Sequence, residues 1–178
     1  MRVIAGKYKG RKLETPVDYS VRPTADKVKE AMFSILMGKI RESRFLDLFA
    51  GTGSIGIEAL SRGASSCVFG DSSRESIKLI KKNIELCGAG DAATVVSGDF
   101  RKVLDAQDDK FDIIFLDPPY GRGFIEPSFE SISKLSLLND EGLIIAEHRR
   151  DEELPEELYG LKKLKERKYG RIVLSIYY

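Results

Sequence analysis

Apolar and polar positions in this chain switch repeatedly between two periods. Short apolar runs bounded by Gly, Asp or Ser recur near residues 45–49, 66–70, 92–97, 112–116, 142–147 and 171–177. Their length and their content of Val, Ile and Phe predict buried strands. Between them, residues 54–62, 73–87 and 124–135 predict helices, with Ile77, Ile80 and Ile84 on the buried face of the second. A shorter helix is expected after Asp99. Upstream, Val28, Ala31, Met32, Ile35 and Leu36 fall at i, i+3, i+4, i+7 and i+8, one apolar helical face behind Arg22-Pro23-Thr24. Thr24 suits the N-cap, and Asp26 suits the positive end of the helix dipole. Residues 1–15 alternate weakly around Lys9-Gly10 and predict a short hairpin. Residues 158–168 predict one more strand, turning near Gly170 to pair antiparallel with 171–177. Strands alternating with helices imply an α/β fold, a mostly parallel seven-stranded sheet covered on both faces with an antiparallel C-terminal strand. The small hairpin and helix precede it.

The 178 residues suit one domain, with 1–20 as a basic extension and 21–178 as the core. No apolar run approaches the ~20 residues of a membrane span, and the first residues lack the apolar stretch of a signal peptide. Cys67 and Cys87 have no Cys-x-x-Cys spacing, and His148 is the sole histidine, so neither a metal site nor a disulfide framework is expected. These features predict a cytoplasmic protein with reduced thiols. The net charge of +1 is uninformative, but the charges are segregated. Lys7, Lys9, Arg11 and Lys12 crowd the leader, Lys162 to Arg171 form a second basic run, and Asp151 to Glu157 an acidic one. Such segregation fits a phosphate-binding edge; it equally fits solvated edge strands protected by lysine.

Three strand ends carry candidate cofactor chemistry. Phe45 to Gly56 reads as a strand, a Gly-rich turn and a helix, with Gly51, Gly53 and Gly56 satisfying G-x-G-x-x-G. Such glycines turn the chain tightly and let a ligand approach the backbone. Asp71 follows Gly51 by 20 residues, the spacing at which an acid meets ribose hydroxyls. Asp99 ends the third strand, beside Phe100; it can accept from an adenine amine, or simply cap a helix. Asp47, two residues before Phe49, suits an amino-acid ammonium better than a pyrophosphate. The pattern thus points to an adenosine cofactor without choosing among them.

The fourth strand ends in Asp117-Pro118-Pro119-Tyr120. Proline carries no N–H, so carbonyls here stay free as acceptors. The Asp117 carboxylate and the Pro118 carbonyl can take both hydrogens of an exocyclic base amine, and Tyr120 can stack on the base, worth roughly 1–3 kcal/mol. The bland reading is a strand stopped by a Pro-Pro turn.

With these segments placed, the chain resembles the class I S-adenosylmethionine-dependent methyltransferases, and more closely the RsmD-type guanine-N2 methyltransferases of bacterial 16S ribosomal RNA. The resemblance rests on Val3 to Leu13, Arg22-Pro23-Thr24, Met32 to Leu36, Asp47 to Gly56, Asp117 to Tyr120, Ala146-Glu147-His148 and Tyr169-Gly170-Arg171. It implies a Rossmann-like fold and S-adenosylmethionine as cofactor. Asp47, Phe49, Gly51 and Gly53 would lie along the methionine part, Asp71 at the ribose, Asp99 and Phe100 at the adenine, with Thr24 and Arg22 over the mouth. Asp117, Pro118 and Tyr120 would hold the target base, while Lys7, Lys9, Arg11, Lys12 and Arg22 would meet RNA. The family often has Glu where this chain has Asp71. The implied partner is ribosomal RNA or the assembling small subunit, with no metal, no membrane and a monomeric enzyme. The rivals are an adenine-N6 nucleic-acid methyltransferase, a nicotinamide-dependent oxidoreductase, a glutamine-N5 methyltransferase and a non-catalytic RNA-binding module.

Overall fold

The computed structural model describes residues 1–16 and 23–178. Arg22 therefore lies outside the described residues, as does the side chain of Thr24. Helix α1 (Pro23–Ile35) begins at the proline, whose fixed φ and missing N–H suit a first helical position. Thr24 consequently sits one residue inside the helix and not at its cap.

Five parallel strands follow: β1 (Arg44–Asp47), β2 (Ser66–Asp71), β3 (Ala93–Ser97), β4 (Phe111–Leu116) and β5 (Leu138–Arg149). They alternate with α2 (Ser54–Ser61), α3 (Arg74–Cys87), α4 (Phe100–Asp105) and α5 (Ile125–Lys134). The chain ends in β6 (Glu157–Leu158), β7 (Leu161–Tyr169) and β8 (Ile172–Tyr177). Among the described residues the sheet has eight strands in the order β3-β2-β1-β4-β5-β8-β7-β6. The strand beyond the seven expected is the two-residue β6, too short to leave a periodic signal. β8 inserts antiparallel beside β5 and β7 pairs antiparallel with it.

The period-two alternation divides the core between the two faces. Phe45, Cys67, Phe69, Ile113, Phe115, Leu143 and Ile145 pack with α1, α2 and α3 residues such as Met32, Ile57 and Ile80. Leu46, Val68, Ile114, Leu116 and Ile144 pack with Phe100, Val103 and Phe129 of α4 and α5. Gly56 is required by this packing, because a Cβ there would lie 2.3 Å from the Phe69 ring.

The expected hairpin is a strap with a single bridge, Arg2 to Lys12. Backbone bonds from Val3 N–H to the Arg11 carbonyl and from Leu13 N–H to the Met1 carbonyl, 3.0 Å each, close it, and side chains of α1, α2 and α3 hold it to the core. Glu58, wholly buried, accepts from the backbone N–H groups of Ile4 (2.8 Å) and Ala5 (3.0 Å) and from Arg62 Nε (2.8 Å). Lys29, also buried, donates to the Arg2 carbonyl at 2.9 Å and lies 3.6 Å from Glu58. Burial pushes the Lys29 ammonium below its ordinary value, and Glu58 opposes that shift. Further along, Asn83 accepts from the Glu14 N–H at 2.7 Å and donates to the carbonyls of Glu14 (3.0 Å) and Thr52 (2.9 Å). One buried amide thus ties the strap to the glycine turn.

Candidate active site

The strand order reverses between β1 and β4, where crossovers leave in opposite directions and the strand ends splay apart. A cleft of about 1330 Å³ opens there, lined by Asp47, Phe49, Gly51, Asp71, Asp99, Phe100, Asp117, Pro118 and Tyr120. The structure thus gathers the sequence-expected residues of four strand ends around one cavity. Met1, Glu14 and Pro16 of the strap form part of its wall.

Period two explains why so many carboxylates meet. On the α1–α3 face, the apolar rows Phe45, then Cys67 and Phe69, then Ile113 and Phe115, then Leu143 and Ile145 each continue at the next same-side position into an acid: Asp47, Asp71, Asp117 and Glu147. Each acid ends a buried row at the carboxyl edge of the sheet, where the α helices stop covering it.

Each acid has a different environment. Asp47, 1% exposed, accepts from the Gly56 N–H at 3.0 Å and so fixes the first turn of α2. Burial, aided by the nearby Asp71 charge, pushes its carboxyl up to about 7. Asp71 accepts from the N–H of Gly51 (2.8 Å) and of Ser73 (2.8 Å), bracing the glycine turn from the neighbouring strand. Gly51 and Gly53 both hold positive φ, 54° and 76°, as the turn demands. Asp99 caps α4, accepting from the Lys102 N–H at 3.0 Å. Each of the last two acids therefore serves local structure while its other lone pairs face the cleft.

Phe100 is not a free ring. It packs with Phe49 (centroids 6.1 Å) and Phe124 (5.9 Å, edge-on), and Phe49 and Phe124 stack at 6.1 Å. Phe124, absent from the sequence-based site, completes an aromatic wall. Its only signal in the sequence is its position shortly after Tyr120.

At the β4 end, Asp117 has its carboxyl raised well above the usual range by burial first, then by the charges of Glu147 and Asp47. Tyr120 is 43% exposed and its hydroxyl donates to Glu147 Oε1 at 2.9 Å. Burial and the adjacent acids raise the Tyr120 phenol as well. Glu152 holds the next turn, accepting from the Gly121 N–H at 2.6 Å. In the sequence Glu147 stands out only as part of Ala146-Glu147-His148; the alternation Leu143, Ile145, Glu147 is the signal that it ends a row beside Asp117.

The basic leader is placed otherwise. Lys7 donates its backbone N–H to the Ser61 carbonyl, and Arg11 Nη1 donates to the Leu86 carbonyl at 2.6 Å. Both partners lie at the C-terminal ends of α2 and α3, whereas the cleft opens at their N-terminal ends. An eight-residue helix spans about 12 Å, so Lys7, Lys9 and Arg11 stand away from the cleft mouth. Lys12 lies on the returning limb toward Glu14. Among the described residues, no cluster of His, Cys, Asp and Glu could hold a metal ion, and no helix is long and apolar enough to cross a membrane.

Comparison with known proteins agrees with this architecture. The family model described as Conserved hypothetical protein 95 matches residues 1–178. A Bacillus subtilis (strain 168) protein, provisionally named rRNA methyltransferase YlbH, is 39% identical over 99% of this chain and 98% of its own length. Ribosomal RNA small subunit methyltransferase D of Escherichia coli (strain K12) is 33% identical over 99% of this chain and 89% of its own. Among solved structures, Escherichia coli yhhF, provisionally described as a methyltransferase, superposes with a TM-score of 0.89 at 33% identity, covering 99% of this chain and 96% of that one. SMU.776, provisionally described as a methyltransferase and solved with S-adenosylhomocysteine, shares the fold at 17% identity and a TM-score of 0.64, covering 89% of this chain and 50% of that one.

Proposed function

The chain belongs to the Conserved hypothetical protein 95 family, the RsmD family, and from that premise we propose that it transfers the methyl group of S-adenosylmethionine to the exocyclic N2 amine of a guanine in 16S ribosomal RNA. The observation that carries the reading is the convergence of Asp117, Pro118 and Tyr120 with the glycine turn, Asp71 and Asp99 on one cleft. A dinucleotide-dependent oxidoreductase has no use for the Asp-Pro-Pro-Tyr clamp. The names of the relatives and the ligand of SMU.776 support the same substrate class and cofactor.

The residues fit the cofactor. Gly51, whose missing Cβ opens onto free space, leaves room for the methionine part beside Phe49, whereas Gly53 faces Ile80 and Phe69 in the core and shapes the turn only; the Oδ1 atom of Asp47 remains for the ammonium group. Asp71 takes the ribose hydroxyls on the lone pairs it does not use for Gly51 and Ser73. Asp99 receives the adenine amine, and Phe100, backed by Phe49 and Phe124, packs on the ring. S-adenosylmethionine supplies a methyl group already activated by its positively charged sulfur.

What remains for the protein is positioning. Asp117 and the Pro118 carbonyl take the two amine hydrogens, turning the nitrogen lone pair toward the cofactor side of the cleft. Tyr120 stacks on the base. With S-adenosylmethionine bound, the amine would accept its methyl group, and Asp117 or water would take the proton that the nitrogen gives up. A carboxylate made more basic by burial suits that acceptor role. A guanine hides its N2 inside a helix, so the target is unpaired or flipped out. Lys7, Lys9, Arg11 and Lys12 hold phosphates of RNA that extends beyond the cleft, in keeping with a large ribosomal substrate in the cytoplasm.

The test is label transfer. Small-subunit RNA, free and assembled, is incubated with the protein and methyl-labelled S-adenosylmethionine, then digested and separated as nucleosides. Label in N2-methylguanosine supports the reading; label in N6-methyladenosine, or in no nucleoside, rejects it.

A further inference from the structure

Of the four acids that end the sheet rows, three have a place in the reaction described above. Glu147 has none. It stands one step past the Leu116–Ala146 pair of β4 and β5, directly beside Asp117 on the adjacent strand. Strands in a sheet are about 4.8 Å apart, so the two carboxyl groups are neighbours on the same face. Both border a small cavity of about 110 Å³ together with Asp26, Met32, Phe115 and Ile172. Tyr120 fixes one oxygen, Oε1, at 2.9 Å; Oε2 carries no partner among the described residues. Lys29, the lysine that lines that cavity, is turned to the Arg2 carbonyl and Glu58.

A second acceptor beside the first places a chemical demand on the base. Wherever Asp117 grips an exocyclic amine, its neighbour meets the ring atom next to that amine. In adenine the ring nitrogen beside the amine is N1, an acceptor. In cytosine it is N3, an acceptor. A carboxylate facing either is repelled and loses its hydration without replacement. Guanine alone offers a ring donor there, N1–H, beside N2. With Glu147 ionised, the two side-by-side groups match the N2–H and N1–H pair of guanine and no other common base. Resting on the methyltransferase reading above, we propose that Glu147 is the specificity-determining residue of this site: its Oε2 accepts N1–H of the target guanine while its Oε1 holds Tyr120 against the base.

The geometry also separates this role from mere support of Tyr120. A glutamine at 147 still accepts from the Tyr120 hydroxyl through its carbonyl oxygen, but it can turn an NH₂ group toward the base. Glu147→Gln should thus keep the ring in place and relax the choice of base. Tyr120→Phe should do the reverse.

The decisive probe is 2-aminopurine, which keeps the amine at C2 but has an acceptor at N1. Small-subunit RNA is prepared with guanosine or 2-aminopurine at the methylated position, and transfer from labelled S-adenosylmethionine is compared at saturating cofactor. Wild-type protein should favour guanosine by about 10- to 100-fold, the discrimination that one well-placed base contact provides. Glu147→Gln should shrink that ratio to below about threefold with cofactor affinity unchanged, whereas Tyr120→Phe should slow both substrates and preserve the ratio. A wild-type ratio near one overturns the assignment without reference to any variant. So does a wild-type-like ratio in Glu147→Gln. Absence of N2-methylguanosine from the wild-type reaction would instead overturn the underlying reading, and this assignment with it.

Discussion

Asn83→Ala tests the connection between the strap and the glycine turn. Asn83 is wholly buried and makes three hydrogen bonds, one accepted from Glu14 N–H and two donated to the carbonyls of Glu14 and Thr52. Each such bond contributes about 1 kcal/mol net, and a buried partner left without one costs a further 1–3 kcal/mol. Glu14 is exposed and can recruit water, so the expected loss is about 2–3 kcal/mol and not the full sum. Asn83→Asp should cost at least as much, because a carboxylate keeps the Glu14 N–H but faces two carbonyls with no proton to give. Urea denaturation measures the loss, and amide hydrogen exchange at Glu14 locates it. Calorimetry with S-adenosylmethionine should show binding weakened about tenfold, or 1.4 kcal/mol, since Thr52 lies in the turn that lines the cleft. A stability change under 0.5 kcal/mol, or unchanged exchange at Glu14, would mean that this amide does not hold the strap.

Three further outcomes follow from the geometry. The Asp47 carboxyl sits at about 7 in the fold against 3.8 when exposed, so the native state holds the extra proton across that window and stability falls as pH rises through it. Ligand-free Asp47→Asn should therefore match wild type below about pH 4 and exceed it by on the order of 2–4 kcal/mol above pH 7; a pH-independent difference in denaturation midpoint would contradict this. Gly6→Ala should cost at least ~2 kcal/mol, because Gly6 holds φ +82° and a Cβ would lie 1.8 Å from the Ser61 carbonyl oxygen; a thermal midpoint equal to wild type would exclude the tight strap. Replacing Lys7, Lys9, Arg11 and Lys12 by Gln should flatten the salt dependence of RNA binding by up to about one unit of log–log slope for each phosphate no longer neutralised; an unchanged slope removes the leader from the RNA surface.

The sheet was legible because its parallel strands are buried on both faces and read as apolar runs between glycines and acids, while the helices between them keep a clean apolar stripe. β5 starts at Leu138, earlier than its apolar run, since Asn139, Asp140 and Glu141 precede the pleat in a region where pairing with β4 shifts register. Nothing in a polar tripeptide announces that. The strand-end acids were visible one at a time, Asp71 through its spacing from the glycine turn, Asp47 and Asp99 through their places on their strands, and Asp117 through the Asp-Pro-Pro-Tyr motif. Their convergence depends on strand order, which the sequence does not state, and so Glu147 stayed without a role. Glu58 and Asn83 were missed for a related reason. Their partners in the strap lie 53 to 69 positions away, and a carboxylate or amide that will be sealed by distant backbone N–H groups looks locally like any polar residue on a helix. Conversely, Asp71 and Asp99 show both of their readings at once, cap or brace in the ligand-free chain and candidate cofactor contacts in the cleft.

Everything proposed for the cleft requires Asp117 to handle the substrate amine while taking no part in holding the cofactor. Asp117→Ala separates the two roles when S-adenosylmethionine affinity and single-turnover methyl transfer to small-subunit RNA are measured on the same protein. The dissociation constant should stay within about threefold of wild type, and transfer should slow by on the order of 10²–10⁴. Affinity and transfer falling together, or transfer persisting at the wild-type rate, would contradict that division of labour.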